Sequence, residues 1–150
     1  MNDYKANADQ QMINYFKEDV RFRLNHSDDL KKWITKLFSS NKLRIANLNY
    51  IFCSDAYLKK MNKKFLNHDY FTDVITFDNS FEPKNIVADI FISIDRVAAN
   101  AEKFQSTFQD ELHRVMIHGA LHLTGMDDKN AKAKVAMKKQ EDLWLKKRKF

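Results

Sequence analysis

The segment from Thr107 to Leu123 carries apolar residues on nearly every side of a predicted helix. One apolar stripe follows helical spacing through Leu112, Val115, Met116, Gly119 and Leu123. Ile117 and Leu121 lie on the opposite side, so the helix has no broad polar face. A helix that is apolar nearly all round is buried among other elements. The segment therefore predicts a central helix around which the rest of the chain has to pack.

Strand patterns elsewhere in the chain are short and rich in β-branched and aromatic residues. They fall at residues 11–15, 45–52, 74–77 and 86–93. Helical patterns separate them without a strict alternation of strand and helix. This order predicts an α+β fold in which one small sheet is covered by helices. A length of 150 residues suits one compact domain with its own hydrophobic core.

Helix starts are predicted where a hydroxyl side chain comes directly before a helical pattern. These capping residues are Ser27, Ser54, Ser93 and Thr107. The helix after Ser54 is predicted to be buried through Leu58, Met61 and Phe65. A last helix is predicted from about Asn130 into a basic tail at residues 146–149.

Composition limits the environment of the chain. Residues 1–9 are polar and aperiodic, and we expect a loose extension there, followed by a single domain at residues 10–150. Cys53 is the only cysteine, which excludes an internal disulfide and favours a reducing compartment, the cytoplasm. We expect no membrane partner, because no apolar run approaches ~20 residues and the N-terminus lacks a signal-peptide pattern.

The net charge of +6 permits a polyanionic partner such as nucleic acid, but it does not indicate one by itself. Basic residues concentrate on the last helix, at Lys132, Lys134, Lys138 and Lys139. Such a face is also typical of an ordinary solvated helix.

The candidate chemistry lies at the end of the central helix. His118 and His122 are four residues apart, so their Cβ atoms are about 5–6 Å apart on one helix face and both rings can reach one metal ion. Gly125 can end the helix in a left-handed conformation, and the returning chain brings Asp128 as a third ligand. Gly119 would let a backbone or a substrate approach the metal. The alternative is two core histidines bonded to backbone carbonyls.

Three protein ligands leave at least one coordination position open, as in catalytic metal sites. The expected nucleophile is a water bound to the metal, and no protein base is assigned. His113 lies five residues before His118, a rotation of about 140° on a helix, so it is not expected to be a ligand.

Three segments stand out in the chain: HGALHLTGMDD at residues 118–128, MNKKFLNHDYFTDVITF at residues 61–77 and ADIFIS at residues 88–93. Together they resemble the YbeY family of endoribonucleases. The resemblance covers roughly residues 45–145. It implies a compact α+β domain with one mixed sheet. It also implies a metal-dependent, single-strand-preferring endoribonuclease in 16S rRNA maturation and ribosome quality control, with rRNA and the ribosomal subunit as partners.

The resemblance places the first two metal ligands on His118 and His122. The third family ligand is a histidine, and this chain has Asp128 there, which is also a competent zinc ligand. Asp127 matches the family aspartate before the third ligand and is a candidate for orienting a ligand or the water; the alternative is a solvated turn residue. Zinc is the expected metal, although this donor set would also accept nickel, iron or manganese.

A second departure from the family is Leu66, where an arginine is common. Candidate RNA-binding residues that could replace its charge are Lys63, Lys64, His68, Arg96 and Arg114. Arg114 is the better candidate because it lies four residues before His118 on the same face, although each is also explained as an ordinary surface or structural residue. Thr72 and Asp73 match a family pair and are interpreted as anchoring a loop.

Two other functions remain as alternatives. A metalloprotease of the metzincin type shares the ligand spacing, but it needs a glutamate directly after the first histidine, where this chain has Gly119. A non-catalytic ribosome-assembly factor could bind RNA and use the metal only to hold the end of the helix.

Overall fold

The structure is a computed structural model that describes residues 12–150. The strands are β1 (Ile13–Lys17), β2 (Arg44–Cys53), β3 (Val74–Asp78) and β4 (Asn85–Ser93). The helices are α1 (Ser27–Ser40), α2 (Asp55–Leu66), α3 (Ile94–Lys103), α4 (Phe108–Leu123) and α5 (Ala131–Lys146). The loose extension predicted for residues 1–9 lies outside the described residues.

The four strands form one sheet in the order β1-β2-β4-β3. β1 and β4 each pair parallel with β2, whereas β3 pairs antiparallel with β4. The expected α+β fold with a small mixed sheet is therefore confirmed. Alternate residues of β2 and β4, such as Tyr50 and Ile90, are fully buried on one face of the sheet, where α1 and α4 cover them. The other face packs against α2 through a small cluster around Leu58 and Ile75.

Helix α4 is the central helix that the sequence predicts. From Glu111 to Leu123 its side chains are buried, except at Arg114, His118 and His122. These three residues follow one another at intervals of four, so they form a single polar stripe along an otherwise buried helix.

Gly119 faces the sheet. A Cβ atom at this position would lie 2.9 Å from Ile90 Cγ2 and 3.1 Å from Thr76 Oγ1. The sequence predicts that Gly119 lets either another backbone or a substrate approach closely. The substrate alternative is wrong, because residues of β3 and β4 fill the space beside Gly119.

Three of the predicted caps are confirmed. Ser54, Ser93 and Thr107 each accept a hydrogen bond from the backbone N–H three residues later. Ser27 is instead the first residue of α1, and His26 precedes the helix in a left-handed conformation (φ 59°). Phe65, predicted to be buried on α2, is 54% exposed.

Among the described residues, no helix has both the length and the apolar character needed to cross a membrane.

Candidate metal centre

The end of α4 and the turn after it bring the predicted ligands together. His118 and His122 occupy the polar stripe of the last two turns of the helix. Gly125, with φ at +101°, reverses the chain, and the N–H of Met126 donates to the carbonyl of Leu121. Few residues other than glycine adopt this backbone conformation readily. The reversed chain then carries Asp128 back toward the two histidine rings.

Three ligand atoms meet at this point. His118 Nε2 lies 3.0 Å from His122 Nε2, and Asp128 Oδ2 lies 3.4 Å from the first and 3.7 Å from the second. Three atoms bound at about 2.0–2.2 Å to one tetrahedral ion would be spaced by roughly 3.3–3.6 Å. The observed separations bracket that spacing, so the group formed by His118, His122 and Asp128 could hold a metal ion.

The hydrogen bonds behind the rings favour the same conclusion. His122 Nδ1 lies 2.9 Å from the carbonyl oxygen of Met126, and His118 Nδ1 lies 2.8 Å from Glu141 Oε2. Both partners are acceptors, which favours a proton on each Nδ1 and leaves each Nε2 free to provide a lone pair. Two imidazole lone pairs and a carboxylate oxygen therefore face one another without a proton donor among them. A cation placed between these three atoms would accept a lone pair from each of them.

Glu141 is a functional candidate that sequence reasoning missed. It lies on α5, is 8% exposed, and accepts from Arg114 through Oε1 (3.0 Å) while Oε2 holds His118. Arg114 also donates to Asp142 (2.8 Å). The available sequence signal was a carboxylate within the apolar stripe of α5, between Met137 and Trp144.

Glu141 also sets the charge of His118. Burial opposes protonation of the ring, but the hydrogen bond and the negative charge of Glu141 outweigh it, with smaller help from Asp73 and Asp128. The pKa of His118 is therefore raised above its ordinary value of 6.5. Protons consequently compete with a metal ion for this ring as the pH falls.

The group opens into a cavity of about 450 Å³. Its wall combines the ligand group with residues of β3, of the end of α2 and of the loop between them, including Leu66, His68, Tyr70, Asp73, Thr76 and Asp78. Asp73 accepts from Asn100 Nδ2 (3.4 Å), and its carbonyl accepts from the N–H of Ser93, which agrees with its predicted loop-anchoring role. Burial raises its pKa.

The predicted RNA-binding residues are dispersed. Arg114 has its guanidinium occupied by two carboxylates, and Arg96 pairs with Asp55 Oδ2 (2.6 Å). Lys63 and Lys64 are exposed near the end of α2. None of these four joins the ligand group, whereas the fifth candidate, His68, lines the cavity. Contact of all five with RNA stays a prediction.

Asp127 and His113 also lie outside the ligand group. Asp127 is exposed, and its Oδ1 accepts from the backbone N–H of Lys129 (3.1 Å), as a turn aspartate does. His113 is 1% exposed and lies beside Arg148, with 2.6 Å between Arg148 Nη1 and His113 Nδ1.

Comparisons with known proteins identify relatives of this chain. The family model described as Endoribonuclease YbeY matches residues 12–149. A protein of that name from Cytophaga hutchinsonii is 51% identical over 141 residues, covering 94% of this chain and 99% of that protein. One from Karelsulcia muelleri is 50% identical over 134 residues, covering 89% and 94%. The solution structure of a Thermotoga maritima protein aligns with a TM-score of 0.63 at 28% identity, covering 90% of this chain and 87% of that one.

Proposed function

This chain belongs to the Endoribonuclease YbeY family, and from that premise we propose that it is a metal-dependent endoribonuclease acting in rRNA processing. We propose further that it cuts single-stranded RNA during 16S rRNA maturation and ribosome quality control, in the cytoplasm and in association with the ribosomal subunit. The observation that carries the proposal is the meeting of His118 Nε2, His122 Nε2 and Asp128 Oδ2 in an open cavity.

The electrostatics of the cavity support a cation as part of the working enzyme. Asp73, Asp78 and Asp128 all line the cavity, and their carboxylates would repel the phosphodiester of an RNA strand. A divalent ion held by His118, His122 and Asp128 would offset most of that negative charge and supply Lewis acidity toward a phosphoryl oxygen or water. We propose zinc, because two imidazoles and one carboxylate suit it and leave a coordination position open.

The protein's own part in this chemistry is to hold the ligands in position. Glu141 and the Met126 carbonyl accept from the two Nδ1 atoms, so both Nε2 atoms are fixed as acceptors. The helical backbone of α4, which is buried against the sheet, holds the two histidines one turn apart. We assign no protein side chain as the general base.

The test compares three substrates. Purified protein loaded with zinc is incubated with unstructured RNA, with duplex RNA and with casein, beside a His118→Ala/His122→Ala variant. We expect cleavage of the unstructured RNA alone and its loss in the variant. Binding without cleavage would favour the non-catalytic assembly factor, and cleavage of casein would favour a protease. Elemental analysis of protein purified without a chelator or an affinity tag identifies the metal.

A protease has little support in the structure. The general base of such an enzyme would have to stand at position 119, directly after the first histidine. That position faces Ile90 and Thr76 of the sheet and has no room even for a Cβ atom.

A further inference from the structure

The chain after α2 exposes an unusual amount of apolar surface beside the cavity. Phe65, Leu66, Tyr70 and Phe71 are each between 41% and 54% exposed, within seven consecutive residues. Large apolar side chains that cluster on a surface commonly mark a binding site. Leu66 and Tyr70 also line the cavity that contains the ligand group, so this surface is continuous with the candidate metal centre.

Two rings at this edge are already stacked. His68 and Tyr70 lie with 5.2 Å between ring centroids and 19° between ring planes, and the Tyr70 hydroxyl is 3.0 Å from His68 Nδ1. Both residues line the cavity. Tyr70 remains 54% exposed, so much of the ring is available to another flat group.

A buried side chain holds this pair in place. Asn62, on α2, is only 2% exposed, and its Nδ2 donates to the carbonyl of Tyr70 (3.1 Å). The backbone carbonyl of Asn62 accepts from the N–H of His68 (3.1 Å), and Asn67 turns the chain between them with φ at 56°. The backbone on both sides of the stacked rings is therefore fixed before any ligand binds, which lowers the entropy cost of binding.

The charges around the rings suit a polyanion. Lys59 Nζ lies 4.5 Å from the ring centre of Phe71, and the Arg96 guanidinium, which is paired with Asp55, lies 5.2 Å from it. Lys63 and Lys64 are exposed on the neighbouring turn of α2. Asp69 is the one exposed carboxylate between residues 59 and 71 of this segment. Aromatic rings interleaved with cations are the arrangement that binds single-stranded nucleic acid.

We propose that Tyr70, backed by His68, is a stacking platform for one unpaired base of an RNA strand whose neighbouring phosphate enters the cavity. This proposal rests on the proposed function and specifies how the substrate is chosen. A paired base has its faces covered by its neighbours in the duplex, so the platform selects single strands. It does so with little preference for sequence, because every base has a face that can stack.

The test compares Tyr70→Ala, Tyr70→Phe and Phe81→Ala in zinc-loaded protein. Phe81 is 97% exposed and does not line the cavity. The Phe81→Ala variant is therefore the matched control, since it removes an exposed aromatic ring away from the site. Affinity is measured by anisotropy of a labelled oligouridylate RNA, and cleavage of the same RNA gives KM and kcat. A 2-aminopurine base in the strand reports stacking directly, because stacking on a ring quenches its fluorescence.

We expect Tyr70→Ala to raise Kd and KM by about fivefold to tenfold and to abolish the quenching, with kcat changing by less than about twofold. Tyr70→Phe keeps the ring and stays within about twofold of the wild type, as does Phe81→Ala. If Tyr70→Ala leaves Kd, KM and quenching unchanged in an active enzyme, the platform is overturned and the proposed function stands. If the wild type binds RNA through Tyr70 but never cuts it, the platform stands and the nuclease is overturned.

Discussion

At the scale of single residues, Glu141 connects the last helix to the candidate metal centre. One carboxylate oxygen accepts from Arg114 and the other from His118. Arg114 is held from its other side by Asp142. The guanidinium therefore fixes the carboxylate, and the carboxylate fixes the orientation and the tautomer of the imidazole ring.

We predict that Glu141→Gln weakens metal affinity by about tenfold to one-hundredfold, because the ring loses a charged acceptor at Nδ1. Asp142→Asn is the matched control: it removes a carboxylate from the same arginine but does not touch His118. Affinity is measured by competition with a chromophoric zinc chelator. Equal affinities of the two variants would show that Glu141 does not position the ligand.

A second prediction concerns the third ligand. Two neutral imidazoles and one carboxylate leave a divalent site with a net charge near +1, and Asp128→His raises it to +2. A more positive site lowers the pKa of coordinated water more strongly, so the pH midpoint of activity should fall by roughly one unit. The check is the pH profile of RNA cleavage by both proteins at full metal occupancy. Asp127→Asn, an adjacent change outside the ligand group, should leave the profile where it is, and coincident profiles of wild type and Asp128→His would refute the argument.

The sequence predicted part of the centre and could not predict the rest. Helical spacing is enough to bring His118 and His122 together, and the turn at Gly125 accounts for Asp128. That they bind a metal stays a prediction. Glu141 lies 23 residues beyond His118, and its position depends on how α5 packs against α4. No local spacing rule reaches that far.

At the scale of the elements, α4 positions the centre because it fits closely against the sheet. Gly119 allows that fit, with Ile90 and Thr76 occupying the space that a Cβ atom would need. Its neighbour His118 belongs to the proposed ligand group, so a displacement of the helix from the sheet would also displace the proposed metal site.

We therefore predict that Gly119→Ala lowers the free energy of unfolding by about 1–3 kcal/mol and also weakens metal binding, since overpacking moves α4. Gly125→Ala is the informative contrast, because nothing lies within 4 Å of its added Cβ. Its cost of about 1–2 kcal/mol arises from a positive φ that alanine avoids. Urea unfolding and zinc titration of both variants provide the measurements; a Gly119→Ala protein as stable as the wild type would contradict the packing argument.

Element boundaries were predicted well where a local rule controls them. The Ser54, Ser93 and Thr107 caps are local hydrogen bonds, and all three are present. Ser27 was wrong as a cap, because the left-handed backbone at His26 starts α1 one residue earlier. Phe65 follows helical spacing but is 54% exposed, because the contact of its ring with Phe77 of β3 (5.9 Å between ring centroids) covers only part of it.

At the scale of the whole molecule, the predicted basic tail is a structural element. Arg148 Nη1 lies 2.6 Å from His113 Nδ1, and its Nη2 donates to Asp110 (2.9 Å). The Phe150 ring packs 5.6 Å from the His113 ring, and the indole N–H of Trp33 donates to the carbonyl of Trp144. The C-terminal residues thus join α1, α4 and α5 around a buried imidazole.

The buried His113 ring makes the stability of the folded protein depend on pH. Burial, and then the positive charge of Arg148, lower the pKa of His113 from 6.5 to about 4. Its Nε2 is also buried with no hydrogen-bond partner among the described residues. In the unfolded chain the His113 ring takes up a proton near pH 6.5, whereas in the folded protein it takes up a proton only near pH 4. The stability that depends on the neutral ring is therefore complete above pH 6.5 and is lost as the pH falls through that window.

We expect this group alone to lower the free energy of unfolding by about 2 kcal/mol between pH 7 and pH 4.5. Replacing the ring by His113→Gln keeps a polar side chain without the titration, so the variant should lose less stability over the same interval. Both proteins are unfolded in urea with a chelator present, because metal release would add its own pH dependence. The raised pKa of His118 acts in the opposite direction, but it is common to both proteins and cancels in their difference. Parallel stability curves would mean that the protein accommodates a charged His113, and that Arg148 moves away to permit it.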